Sequence, residues 1–462
     1  MKPKHILALG LLALGLGSCG ESFFEQYPSN NITEGNFYKT DDDFNQGVVA
    51  CYAKLKTQMS FHLTEIGYRG DENVLESMAV STQNRYDIDH FAETANNGIL
   101  NDIWNAWYNG IYRCNDVLDH MTGAKIANYD KYRGECLFLR SWWYFNLYRV
   151  FGVVPITRTV VTPAAAKLIP RCTEEEMYTL LTEDLAEAAR LLPPTPGPEK
   201  ARVANIAAYT LLAKVYLTFG KPAEAKTALE EAMKNTSYGL ESTTKKVFDV
   251  GNKMNREIIF ALYYNKTNDN GHGYWYSANT DVLADINNPT PTFKAIYDSE
   301  KDNRLPLISS YTKIKDNLFA MTKWYDTYDA TYTTQVGNDF PHLRYADVVL
   351  MYAEALAESG GSLGDALEWL NKTRTRAGLD ELTTDEVKSL AEFRRELAAE
   401  RGREFALEGH RWFDLVRLGL AVDYFREMGY SLDSHNLIFP IPQNQIEIVN
   451  NPSILWQNPG FN

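Results

Sequence analysis

A pair of helices in the middle of the chain constrains the fold more than any other sequence feature. Residues 204–234 read ANIAAYTLLAKVYLTFGKPAEAKTALEEAMK. The apolar residues at helical spacing are Tyr209, Leu212, Ala213 and Tyr216 before Gly220, and Ala225, Leu229 and Ala232 after it. This spacing predicts two helices with a turn at Gly220. One such pair cannot bury its apolar face alone, so further pairs are expected.

Large, small and aromatic positions in this order match the tetratricopeptide pattern of about 34 residues. We therefore predict a mainly α fold, an α-α superhelix of about four tetratricopeptide-like helix pairs. The pairs lie near 41–121, 129–192, 204–234 and 345–376. In the first pair the helices cover 41–55 and 103–121. The aromatic run WWYFNLYRVF at 142–151 recurs at helical spacing and is interpreted as core packing.

Two stretches between the helices lack a helical pattern, residues 60–100 and 236–340. Both are rich in Asn, Asp, Gly, Thr and Tyr, and the second also contains Trp. Insertions in repeat proteins gather on one face, often the binding face. We predict irregular loops and short strands here, which together form a binding face.

The first residues have the pattern of an export signal. Lys2 and Lys4 precede the apolar run 6–16, which is too short to span a bilayer as a helix. Small residues and then Cys19 follow, as in bacterial lipoprotein signals. We expect residues 1–18 to be a lipoprotein signal peptide, Cys19 to be lipidated, and 19–462 to form a single domain held at a membrane by lipid.

Charge and cysteine content exclude several classes of protein. The formal net charge is −14 and no basic stripe occurs, which argues against nucleic-acid binding. The remaining cysteines are Cys51, Cys114, Cys136 and Cys172. They form no CxxC pair and no histidine lies at metal-ligand spacing, so we expect buried free thiols, no metal site and no cofactor.

The stretch EGHRWFDLVRLG at 408–419 contains enough charged groups to suggest an active site. The preceding segment, 391–405, predicts a helix whose core-facing row includes Arg401, which then needs a carboxylate partner. Catalysis by His410 would require a nearby nucleophile, and no Ser or Cys is close in sequence. We therefore predict a structural clamp, formed by Arg401, Glu404, Glu408, Arg411 and Asp414, in which side chains three residues apart meet.

Five ordered blocks of the sequence carry a resemblance to a known family. These are CGESFFEQYPSNNITEGNFYKTDDDFNQGVVACYAKL, GECLFLRSWWYFNLYRVFGVVP, ARVANIAAYTLLAKVYL, HLRYADVVLMYAEALAE, and a C-terminal signature within 391–462 made of FRRELAAERGREFALEGHRWFDLVRLG, LIFPIPQNQIEI and QNPGFN. Together they resemble the SusD/RagB family of outer-membrane glycan-binding lipoproteins of Bacteroidetes. The resemblance implies a cell-surface protein that binds oligosaccharide or polysaccharide without cleaving it. It also implies delivery to a SusC-like TonB-dependent outer-membrane transporter.

The composition of the insertions suits a sugar ligand. Aromatic rings stack on the apolar face of a sugar ring, and Asn, Asp and Arg bond its hydroxyl groups. The predicted ligand-binding residues are Tyr68, Arg69, Asp71, Asn84, Arg85, Tyr86, Trp275, Tyr276, Trp324 and Tyr325.

Two alternatives stay open at this stage. Capture of peptides or another nutrient would use the same scaffold. A glycoside hydrolase would need two carboxylates at a fixed separation. The pairs that the sequence offers for that role are Asp71 with Glu72 and Asp326 with Asp329.

Overall fold

The computed structural model of the protein describes residues 37–72, 83–197, 199–265, 277–279, 289–315, 318–326 and 337–461. Helices dominate this part of the chain, so the prediction of a mainly α fold is confirmed. The expected signal peptide and Cys19 lie outside the described residues.

The first half of the chain forms a stack of helices. They are α1 (Asp41–Gly67), α2 (Gln83–Asp89), α3 (Gly98–Met121), α4 (Tyr129–Phe151), α5 (Pro163–Ala166), α6 (Glu174–Leu191), α7 (Asn205–Thr218) and α8 (Pro222–Met233). The long helices pack in the order α1, α3, α4, α6, α7 and α8, each against the next. Thr173 caps α6 by accepting a hydrogen bond from the Glu176 N–H, while the Glu176 carboxylate accepts one from Thr173 N–H at 2.7 Å.

The first helix is longer than the sequence predicts. It was expected to end at Leu55 but continues to Gly67. Leu63 and Ile66 are buried and extend the apolar stripe beyond the polar residues that follow Leu55. The segment 60–100 also contains α2 and the start of α3, so the prediction that it is non-helical is wrong for those parts.

The second insertion carries the short strands that the sequence predicts. Its elements are α9 (Thr244–Val247), β1 (Ile258–Leu262), β2 (Ser277–Asn279), α10 (Pro291–Lys294), α11 (Leu305–Ser309), β3 (Tyr311–Lys315), β4 (Leu318–Met321) and β5 (Phe340–Arg344), with 3-10 turns at Val250–Asn252 and Thr322–Trp324. Strand β1 pairs antiparallel with β5, and β4 lies antiparallel between β2 and β3. Because β5 leads directly into the next helix, the strands anchor the insertion to the stack.

The C-terminal part completes the stack and adds short helices. These are α12 (Tyr345–Glu358), α13 (Leu363–Arg376), α14 (Leu390–Glu404), α15 (Arg411–Arg417), α16 (Ala421–Glu427), a 3-10 turn (Ser434–Leu437) and α17 (Gln443–Val449). Helix α12 packs against both α8 and α13, and α14 packs against α12 and α13.

One large core runs through the helical stack. The aromatic run in α4 belongs to it, since Trp143, Tyr144 and Phe151 are all fully buried, which confirms the interpretation as core packing. Helices α3 and α4 approach closely because residue 110 is glycine. A Cβ atom at Gly110 would lie 2.2 Å from the ring of Trp143.

Candidate functional site

The first predicted ligand group follows the end of α1. Tyr68, Arg69 and Asp71 are all buried. Arg69 Nη2 donates to Glu93 Oε1 at 2.6 Å and to the backbone oxygen of Asn436 at 3.1 Å. The rings that flank this guanidinium belong to Phe91, Trp412 and Phe439. The expectation that these three side chains line an open binding surface is therefore corrected: they lie in the interior beside the C-terminal helices.

Asp71 links the end of α1 to α15 and α16. Arg411 Nε donates to Asp71 Oδ1 at 2.9 Å, and the hydroxyl of Tyr424 donates to Asp71 Oδ2. Burial alone lowers the pKa of Arg411, but the adjacent Asp71 carboxylate outweighs it and raises that pKa. The sequence suggested Asp414 as the neighbour of Arg411, three residues away on one helix. No local pattern signals the actual partner, which is 340 residues away.

The second predicted group, Asn84, Arg85 and Tyr86, lies on α2 and reaches solvent. Asn84 is exposed, while Arg85 and Tyr86 are half-buried. The Tyr86 ring stacks on His90 with a centroid distance of 3.8 Å and an interplanar angle of 17°. Arg85 Nε lies 3.3 Å from Glu65 Oε1. Asn84, Arg85 and Tyr86 each reach solvent from α2, and we call these three residues the α2 surface.

The third predicted group lies in the second insertion. Trp275 and Tyr276 fall outside the described residues. Trp324 is 1% exposed and packs edge-on against Phe248, with a centroid distance of 5.1 Å. The expectation of an exposed Trp324 ring is corrected: a tryptophan in a polar insertion still fills the core. Tyr325, the next residue, is half-buried.

Two clamp residues, Glu404 and Glu408, belong to a buried network in which five cations pair with five carboxylates. Its members are Arg304, Lys323, Arg344, Arg376 and Arg403 with Glu257, Asp302, Glu400, Glu404 and Glu408. At its centre Arg344 lies 3.0 Å from Glu404 and 2.8 Å from Glu408. Burial alone raises the pKa of Glu404, but the guanidinium groups of Arg376 and Arg344 reverse this and lower it. We call this set the insertion network, because it ties β5 and Glu257, the residue before β1, to α14.

Two further clamp residues, Arg401 and Asp414, belong to a second buried chain of ion pairs. It runs through Lys214, Asp347, Arg401, Asp414, Arg417 and Glu354, three cations with three carboxylates. Arg401 lies 2.8 Å from Asp414 and 2.9 Å from Asp347. Burial alone raises the pKa of Asp414, but Arg401 and Arg417 outweigh it and lower that pKa. We call this set the corner network, since it joins α7, α12, α14 and α15. The turn between α14 and α15 uses Gly409, whose φ of +76° is in the left-handed region.

His410 lies beside the corner network and is uncharged at neutral pH. Burial and the nearby Lys214 ammonium lower its pKa well below the usual value. Its Nδ1 lies 3.4 Å from Lys214 Nζ, and its ring stacks on Phe405 at a centroid distance of 4.7 Å. A general base needs a nucleophile within hydrogen-bond reach. The neighbour here is an ammonium group, so the geometry favours packing over catalysis.

A groove that the sequence analysis missed lies along α3. Its cavity volume is about 380 Å³ and it runs between α3, the 155–169 segment and α17. Trp104, Tyr108 and Tyr112 line it at four-residue intervals, and Tyr112 is exposed. The Gln445 amide donates to Asn105 Oδ1 at 3.2 Å at the same place. The four-residue spacing could have identified this row, but the segment was assigned entirely to the helical core.

All four cysteines of the described chain are free and buried, which confirms the prediction of free thiols. Cys51, Cys114 and Cys136 come from α1, α3 and α4 respectively, so they act as small apolar groups in the stack.

Comparison with known protein families completes the description of the site. One family model, described as "SusD family", matches residues 302–461. A second, described as "Starch-binding associating with outer membrane", matches residues 27–217. The two matches include most of the helical stack, the α2 surface, the whole corner network and every member of the insertion network except Glu257. The chain belongs to the SusD/RagB family.

Individual relatives extend the similarity along the SusD-family chain. A SusD-like protein P2 from Formosa agariphila is 25% identical over 511 residues, covering 99% of this chain and 100% of the relative. A crystal structure of a SusD-like protein from Bacteroides fragilis superposes with a TM-score of 0.79 at 21% identity, covering 94% and 100% of the two chains. Surface glycan-binding protein A from Bacteroides thetaiotaomicron, in complex with laminarihexaose, has a TM-score of 0.74 at 22% identity, covering 91% and 99%. These structural similarities establish a SusD-like fold.

Within the described ranges, no helix is long and apolar enough to cross a bilayer. In the same part of the chain, no three His, Cys, Asp or Glu side chains are arranged to hold a metal ion.

Proposed function

We propose that this protein binds an oligosaccharide or polysaccharide at the cell surface and passes it to a SusC-like TonB-dependent outer-membrane transporter without cleaving it. In this proposal a lipid on Cys19 holds the protein at the outer membrane. The observation that carries the proposal is the family membership, which spans both ends of the chain. It is supported by the printed description of one family model and by the laminarihexaose bound to a relative of the same fold.

The α2 surface is the proposed ligand contact among the described residues. A sugar ring has an apolar face of C–H groups and a rim of hydroxyl groups. The half-buried Tyr86 ring suits the face, and the Asn84 amide and the Arg85 guanidinium suit the rim. Trp275 and Tyr276, which lie outside the described residues, are proposed to complete the site.

The absence of catalysis is part of the proposal. A glycoside hydrolase needs two carboxyl groups that flank the scissile bond about 5–10 Å apart. Of the carboxylates that the sequence offers, Asp71 is bound by Arg411 and Glu72 is buried. Asp326 is also buried and accepts from the Gly337 N–H at 2.9 Å, whereas Asp329 lies outside the described residues. The enclosed positions of the first three favour structural roles.

A side-by-side panel of soluble glycans and peptides tests the function. The purified protein is titrated with each ligand, and the supernatants are analysed for new reducing ends. We expect binding to at least one glycan, no binding to the peptides, and no product. Binding confined to peptides would replace the glycan proposal by nutrient capture of another kind, and product formation would make the protein a hydrolase.

A further inference from the structure

A second cavity lies at the C-terminal end of α4, beside the corner network. Its volume is about 350 Å³, at the lower end of the range for small-ligand pockets. It is lined by the C-terminal turns of α4, by α7, by α15 and by the 437–438 segment. Tyr148, Thr218 and Ile438 on its lining are half-buried, so the cavity is open to solvent at these residues.

The charges around this cavity do not balance. Lys214, Asp414 and Arg417 line it, and all three belong to the corner network, whose three cations match its three carboxylates. His410 lines it as a neutral ring. Arg149 also lines it and stands outside the network, because no carboxylate of the described chain lies within ion-pair distance of its guanidinium. One positive charge is therefore in excess.

The surroundings of Arg149 are those of a cation that lacks a counterion. Its guanidinium lies over the Phe413 ring at 3.9 Å and over the Phe145 ring at 4.8 Å. Its Nη2 donates to the Asn146 side-chain oxygen, while the buried Nε has no hydrogen-bond partner. Burial lowers the pKa of Arg149 to about 9, because the Asp414 and Asp347 carboxylates compensate only in part. Arg149 is half-buried, and a cation partly withdrawn from water without an ion partner is relieved by an anion that reaches it.

We propose that this cavity binds a small ligand through a carboxylate group held by Arg149. A carboxylate carries one negative charge, which matches the single positive excess. Its two oxygens also fit the planar fork of a guanidinium. The aromatic rings of Phe145 and Phe413 keep the guanidinium in place and leave its edge as the polar group offered to the ligand. The inference stands on the cavity and its charges, and it does not depend on the proposed glycan function.

Thermal unfolding and isothermal titration of the purified protein test this site with four probes at equal ionic strength: sodium acetate, sodium D-glucuronate, D-glucose and sodium phosphate. We expect acetate and glucuronate to raise Tm above a sodium chloride reference, whereas glucose does not. Equal affinities for acetate and glucuronate would mean that the carboxylate alone is recognised. Tighter binding of glucuronate would identify a sugar that bears the carboxylate.

Two variants locate the effect. Arg149→Gln should weaken carboxylate binding by about tenfold or more, the loss expected for one hydrogen bond to a charged group. Arg158→Gln removes one positive charge from a surface pair with Glu183 and should bind as the wild type does. If Arg149→Gln does not fold, comparing glucuronate with glucose on the wild type still tests whether the carboxylate group is recognised.

Several outcomes would overturn the inference. They are equal stabilisation by chloride or glucose, tighter binding of phosphate than of acetate, full retention of binding in folded Arg149→Gln, and equal loss in both variants.

Discussion

At the scale of single residues, Glu72 shows how burial changes the chemistry of a side chain. It is 2% exposed, and its Oε1 accepts a hydrogen bond from the Leu407 N–H at 3.1 Å. Burial raises its pKa to about 8, although the Leu407 N–H favours the ionised form. The neighbouring insertion network already pairs all its charges, so an ionised Glu72 would add an uncompensated one. Glu72 is therefore mostly protonated at neutral pH.

Replacing Glu72 by Gln should remove a pH dependence from the stability. Between its ordinary pKa of 4.5 and its folded pKa of about 8, the folded protein keeps a proton that the unfolded chain has released. The Glu72 contribution to the free energy of unfolding is therefore fully present below the lower value and is lost as pH rises to the upper one. Glutamine keeps the acceptor for Leu407 and does not titrate. We compare the free energies of unfolding from urea titrations between pH 4 and pH 9. Relative to the wild type, the value for Glu72→Gln should increase with pH by a few kcal/mol, the order that such a pKa shift implies. A constant difference across this range would contradict the assignment.

At the scale of elements, the corner between α14 and α15 is held by charges from four helices. The core-facing row Phe393, Leu397, Arg401 and Phe405 is buried as the spacing predicts. Sequence spacing also brings Asp414 near Arg401. It cannot reveal Asp347 on α12 or Lys214 on α7, because these helices meet only in the tertiary fold. Local periodicity thus predicted that Arg401 is buried, but it identified only one of its two carboxylate partners.

Arg401→Ala should destabilise the protein strongly and leave glycan binding unchanged. The substitution leaves Asp347 with only Lys214 and Asp414 with only Arg417 as cationic partners in the interior. Breaking a buried ion pair by removing one partner typically costs about 3–5 kcal/mol. The matched control is Arg426→Ala, which removes an exposed pair with Asp423 and should cost less than about 1 kcal/mol. Urea unfolding measures both. Similar losses in the two variants, or a loss of binding without a loss of stability, would contradict the role of Arg401 as a clamp.

The insertions were less predictable than the helices, for physical reasons. Composition marks the insertions as aromatic and polar, but it does not indicate whether an aromatic ring faces solvent or the core. Tyr86 remains accessible on α2, whereas Trp324 closes against Phe248. Arg69 and Asp71 resembled ligand groups because their partners, Glu93 and Arg411, could not be recognised from sequence distance.

At the scale of the whole molecule, the long helices form a frame, and the proposed glycan-contact residues of α2 lie outside those long helices. Continuous apolar packing and two charge-balanced networks hold the long helices together, so most of their buried side chains contact one another. The fold was predictable because each helix pair carries its own periodic signal. The ligand surface was predictable only in part, since it depends on which insertion side chains remain unburied.

The most direct test of the proposed glycan surface is to titrate two variants, Tyr86→Ala and Tyr352→Ala, with the glycan that the panel selects. Both tyrosines are half-buried, and Tyr352 lies on α12, where it packs edge-on against Trp369. Loss of a stacking ring at a contact should cost about 1.5–3 kcal/mol, the transfer free energy of a large apolar side chain. Tyr86→Ala should therefore bind roughly tenfold or more weakly, whereas Tyr352→Ala should bind as the wild type does. Unchanged affinity in folded Tyr86→Ala, or an equal loss in Tyr352→Ala, would contradict the account.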